Sequence, residues 1–112
     1  MEEHEIRAIA EQNDAFRKAF GKHPEIKGDV YTTRTISELP DKKMFSLFDQ
    51  IREFEDFADD CPLHDMGMIT FDGKRCMFKI DLYDTKLEYG SEDPANLSVT
   101  RRVLTILYAS EY

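Results

Sequence analysis

The chain has 112 residues, with 15 basic against 23 acidic side chains and a net charge of −8. That length suits one domain, and area scaling gives roughly 6,000–6,500 Å² exposed when folded against about 19,000 Å² unfolded, enough burial for a core without disulfide or metal staples. With 41% hydrophobic and 12% aromatic residues the chain is too apolar for wholesale disorder, and no apolar run approaches the roughly 18–20 residues of a membrane span.

The first residues, Met1-Glu2-Glu3-His4-Glu5, are acidic where an export signal is basic and then apolar, so the expected compartment is the cytoplasm. Cys61 and Cys76 are then expected as two free thiols rather than a disulfide framework. The negative balance also argues against direct binding of nucleic acid, whose phosphates would be repelled.

Ile6, Ile9, Ala10, Phe16 and Phe20 recur at helical spacing, with Asn13 interrupting the stripe, and predict a helix over residues 4–20 that stops at Gly21. Asp29–Ile36 is rich in β-branched residues and predicts a strand near a sheet edge, because Arg34 shares a face with Val30 and Ile36. Pro40-Asp41 opens a second predicted helix carrying Met44, Leu47, Phe48, Ile51, Phe54 and Ala58, which would be the centre of the core. Met66–Phe71 and Arg75–Tyr83 flank Asp72-Gly73, a dipeptide that tolerates the positive φ angles of a tight hairpin. Residues 84–97 read as a loop near the length limit for an unstructured connection. Ser98 then caps a predicted final helix bearing Val99, Val103, Ile106 and Leu107.

The expected fold is therefore α+β, one domain over residues 1–112. Its order is α-β-α-β-β-α, with a small, mostly antiparallel sheet and helices packed on one face.

His64-Asp65-Met66-Gly67, Phe78-Lys79-Ile80-Asp81-Leu82-Tyr83-Asp84, Glu88 through Ala95 and Val99 through Leu107 resemble a family catalogued as a domain of unknown function, DUF3768. Asn13-Asp14-Ala15-Phe16-Arg17 and Phe54-Glu55-Asp56-Phe57 look like earlier blocks of the same family, while Met66 and Phe78 stand where Phe and Trp are expected. The resemblance implies a small bacterial protein of a family with no agreed activity, whose members look like accessory genes, some on plasmids and other mobile elements.

Among constellations that carry chemistry, Cys61-Pro62-Leu63-His64 has a metal-ligand spacing, but no second pair completes four ligands, so no metal is expected. A cysteine–histidine nucleophile finds no thiolate-stabilising group, since the neighbouring carboxylates raise a thiol pKa. Asp81 and Tyr83 share a strand face and, with His64 and Asp84, would rim a polar groove suited to a ligand or to acid–base work, unless Lys79 simply pairs with Asp81. No catalytic set and no cofactor is assigned.

The acidic stretch Asp49, Glu53, Glu55, Asp56, Asp59 and Asp60 faces only Arg52, and Asp49, Glu53 and Asp56 recur at i, i+4, i+7. Glu88, Glu92 and Asp93 add a second cluster. These carboxylates either form a solvated surface or steer a basic, nucleic-acid-binding protein partner. The functional expectation is a small binding protein, an inhibitor of the anti-CRISPR or anti-restriction type. The alternative is an enzyme or ligand-binding domain using the His64, Asp81, Tyr83 and Asp84 groove. An exposed Phe45 or a buried C-terminal helix would equally mark a homodimer interface.

Overall fold

Ile9, Ala10, Asn13, Phe16 and Arg17 form the buried side of α1 (Glu3–Lys18) in the computed structural model, which describes residues 1–112. The helix runs out where expected, in left-handed backbone at Phe20 and Gly21. Four strands follow, β1 (Gly28–Thr32), β2 (Met66–Phe71), β3 (Lys74–Tyr83) and β4 (Arg101–Tyr108), with a single helical turn α2 (Arg34–Ser37) and the longer α3 (Asp41–Glu53) between β1 and β2. The sheet order is β1-β4-β3-β2, antiparallel except for the parallel pair β1–β4. The fold is α+β.

One face of the sheet carries Phe71, Cys76, Phe78, Ile80, Leu104 and Ile106, which pack with Phe16 of α1, Ile36 of α2, and Leu47 and Ile51 of α3 into one core. The other face has no helix over it. Met66, Met68 and Tyr31 stand partly exposed there, beside the Lys79–Asp81 and Arg101–Asp29 ion pairs.

The Asp72-Gly73 hairpin forms as its sequence predicts, with φ of 54° and 78° and Phe71 opposite Lys74.

Three expectations are corrected. The predicted C-terminal helix is the central strand β4. Its residues satisfy both periods, but Val103, Thr105 and Ile106 are β-branched, and the alternating set Arg102, Leu104, Ile106 and Tyr108 is buried. Ser98 caps nothing; it sits in a 3-10 turn capped by Asn96. The strand predicted over Asp29–Ile36 ends at Thr32, because the Thr33 hydroxyl accepts the Ile36 N–H and starts α2. It is nevertheless an edge strand.

The second predicted helix ends at Glu53 rather than Ala58, and only Leu47 and Ile51 are its buried residues. Phe54 turns to extended backbone so that it and Phe57 meet edge to face at 4.9 Å, with Phe54 against Phe78 at 5.3 Å. Phe45 stays exposed.

The connection over residues 84–100 is ordered by its own bonds. Asp84 accepts the N–H groups of Lys86 and Glu88, Gly90 bridges Tyr83, and buried Thr100 donates to the Asp93 carbonyl.

Candidate functional site

A polar seam joins α1 to the rest of the fold. Arg17, fully buried, donates to the carbonyls of Ile51 and Arg52 at 3.0 Å each and to Asp14 Oδ1 at 3.0 Å. The carbonyls are the open end of α3, so the guanidinium supplies the partner and the positive charge that a helix C-terminus lacks. Its carbon lies 5.3 Å from the Phe57 ring centroid and 5.6 Å from that of Phe78. Arg17 thus caps the end of α3 that is left open where Phe54 turns to extended backbone.

Arg102 on β4 is equally buried and has no acidic partner. Its Nε donates to Asn13 Oδ1 at 2.7 Å and its Nη2 to Gln12 Oε1 at 2.9 Å, while Nη1 has no partner. Burial alone pulls its pKa down to about 10. Asn13 and Gln12 in turn donate to the carbonyls of Leu63 and Ala95. Two adjacent residues of α1 thus fasten both long connections.

His64 closes the seam. Its backbone is in the left-handed region at φ 54°, its ring stacks on Phe57 at 4.1 Å, and Nδ1 faces both oxygens of Asp14 at 3.1 and 3.0 Å. Cys61, three residues earlier, points its thiol toward Asp65 Oδ1 at 3.5 Å and the Met66 carbonyl at 3.6 Å. Burial pushes the thiol pKa up. Cys61 and His64 therefore bind different partners, and no three His, Cys, Asp or Glu side chains are grouped to hold a metal ion.

The acidic residues divide. Asp49 pairs with Arg52 at 2.7 Å and Glu55 with Lys18 at 3.0 Å. Glu53, Asp56, Asp59 and Asp60 are exposed and have no cation within ion-pair distance. Because α3 ends at Glu53, Asp56 leaves the helical face it was expected to share with Asp49 and Glu53. Asp56 and Asp60 instead line a cleft of about 420 Å³ beside the edge strand β2, with Phe54, Cys61, Met66 and Met68. Glu92 and Asp93 join Asp84 around a separate cleft of about 390 Å³, and Glu88 is exposed nearby in sequence.

The expected groove of His64, Asp81, Tyr83 and Asp84 is not assembled. Lys79 takes Asp81 on the open sheet face, Tyr83 lies opposite Arg101, Asp84 holds its own turn, and His64 reaches under the sheet to α1. Sequence reading missed Arg17, Arg102, Gln12 and Asp14. The available signals were the resemblance of Asn13-Asp14-Ala15-Phe16-Arg17 to a block of the family and Asn13 breaking the apolar stripe of α1, which with Asp14 and Arg17 marks a buried polar stripe.

A family model described as "Protein of unknown function (DUF3768)" matches residues 32–111, from the end of β1 to the last turn, and leaves Asp14 and Arg17 outside the matched stretch. No curated protein and no solved structure matches the chain.

Proposed function

The chain belongs to the DUF3768 family, whose description assigns no activity, so from the geometry we propose an acidic binding protein that docks on a basic protein partner. In its finer form, the partner is a nucleic-acid-binding protein in the bacterial cytoplasm, and this chain is a mobile-element inhibitor of the anti-CRISPR or anti-restriction type. What carries the reading is the exposed set Glu53, Asp56, Asp59 and Asp60, carboxylates with no cation of the chain within ion-pair distance. Uncompensated charge of one sign steers association with an oppositely charged groove and makes it salt-dependent.

The test is capture of partners at low and high salt with the wild type and with a variant carrying Glu53→Gln, Asp56→Asn, Asp59→Asn and Asp60→Asn. A basic nucleic-acid-binding protein retained at low salt, weakened at high salt and lost by the variant is the expected result. Capture indifferent to both salt and the four substitutions would overturn it.

A further inference from the structure

Met66-Gly67-Met68-Ile69-Thr70-Phe71 forms the outer strand of the sheet, and its backbone direction is fixed by one bond. Ile80 N–H donates to the Asp65 carbonyl at 2.8 Å, in the register that sets Met66 opposite Lys79. Residues 65, 67, 69 and 71 therefore turn their backbone groups toward β3, and 66, 68 and 70 turn theirs away from it. The Met66 carbonyl takes the Cys61 thiol. The outward N–H and C=O groups of Met68 and Thr70 meet no partner.

Natural edge strands are usually blunted by lysine, proline or a bulge. This one has no charge, no proline and an unbroken register along its whole length. The opposite edge, β1, is short, carries Asp29 held by Arg101, and turns at once into α2. The cleft of about 420 Å³ lies along the unblunted edge.

We infer that the β2 edge is a strand-addition site, which takes an extended lysine- or arginine-bearing segment of the partner as a fifth strand of the sheet. The inference rests on the reading that the partner is basic. Backbone bonds to Met68 and Thr70 supply the docking, and Asp56 and Asp60 on the flanking segment supply the preference for cations. Arg75 also lines the cleft, across from Thr70 at the hairpin end, so the cationic side chains lie toward Asp60 and away from the hairpin. A second copy of this chain is the poorer occupant, because two-fold pairing of β2 would bring the same carboxylates of both copies together in a molecule already at −8.

The experiment uses a blocked heptapeptide of alternating lysine and valine, and two versions of it N-methylated on one or the other set of alternate residues. All three carry the same charge, but each methylated version can pair along only one edge. The expected result has three parts. The parent peptide slows amide exchange at Met68 and Thr70. One methylated version loses about tenfold or more in affinity while the other does not. Asp56→Asn with Asp60→Asn weakens the parent peptide.

If both methylated versions bind as the parent does and none of the three protects the Met68 and Thr70 amides, while the aspartate variant weakens all three, the acidic reading stands and strand addition is overturned. No protection of Met68 and Thr70 by saturating peptide also overturns it. So does a dimer of the free chain that Met68→Pro dissociates.

Discussion

The Asp14 carboxylate holds His64 and Arg17 at once, with Nδ1 of His64 at 3.0 Å from one oxygen and Nη2 of Arg17 at 3.0 Å from the other. One side chain of α1 thereby ties down the turn that leads into β2 and the residue that ends α3. The left-handed backbone at His64 is a conformation that non-glycine residues adopt at a cost, and the bond to Asp14 and the stack on Phe57 hold it there.

Removing either partner separates these roles. His64→Ala loses one hydrogen bond and a ring stack but leaves Asp14 with Arg17, and is expected to destabilise by about 1–2 kcal/mol. Asp14→Ala strips the buried Arg17 of its only carboxylate and is expected to destabilise by about 2–4 kcal/mol. Urea unfolding of the two variants checks the order. An Asp14→Ala chain as stable as the His64→Ala chain would mean that the Ile51 and Arg52 carbonyls suffice for Arg17.

Arg102 presents the converse case, a buried cation compensated by amide oxygens alone. Arg102→Met leaves Asn13 Oδ1 unpaired and Asn13→Leu leaves Arg102 with only Gln12, so each is expected to destabilise by about 1–3 kcal/mol. The double variant is expected to fall short of their sum by a similar amount, because the two share one bond. Additive losses in a denaturation series would show the bond to be idle. The pH dependence has a definite sign. A cation whose folded pKa is depressed binds fewer protons folded than unfolded above that value, so its burial penalty is complete below about 10 and fades as pH rises through 10. Wild type is therefore expected to gain stability relative to Arg102→Met on crossing that pH.

These residues mark where sequence reading stops. The Asp72-Gly73 hairpin and α1 were legible because turn chemistry and apolar spacing are local. The last strand was not, since Val99–Tyr108 carries apolar residues on both sides and a central strand and a buried helix share that pattern. Arg17 and Arg102 look like surface charges in sequence. Their burial depends on Ile51, Arg52, Asn13 and Gln12 arriving from other elements. The open edge of β2 was equally hidden, because sheet order, not strand composition, decides which strand is left unpaired.

Gly67 faces the aromatic cluster with no room for a side chain. A Cβ there would sit 2.3 Å from Phe78 Cε2 and 2.7 Å from Phe54 Cε1. Gly67→Ala is expected to destabilise by about 1–3 kcal/mol or more through overpacking, since the rings that must move also hold Arg17 and Phe57. The companion Gly67→Ala/Phe54→Leu is expected to recover part of the loss by vacating that space. Thermal melts compare the two, and no recovery would place the strain in the strand backbone instead.

Cys61 and Cys76 report on two depths of the fold by their alkylation rates. Burial raises both thiols above their ordinary value of 9.0, and the Asp65 carboxylate further disfavours the Cys61 thiolate. Only the thiolate attacks iodoacetamide. Cys61, half-exposed, is expected to react more slowly than a thiol in the unfolded chain at neutral pH, with a rate that climbs as pH rises and a midpoint above 9.0. Asp65→Asn is expected to quicken it, because removing the negative charge eases ionisation. Cys76, almost wholly buried in the core, is expected to react only on unfolding. Mass spectrometry of the labelled chain separates the two sites. A Cys61 rate at or above that of the unfolded chain would show its thiol to be free of both the Asp65 carboxylate and the Met66 carbonyl.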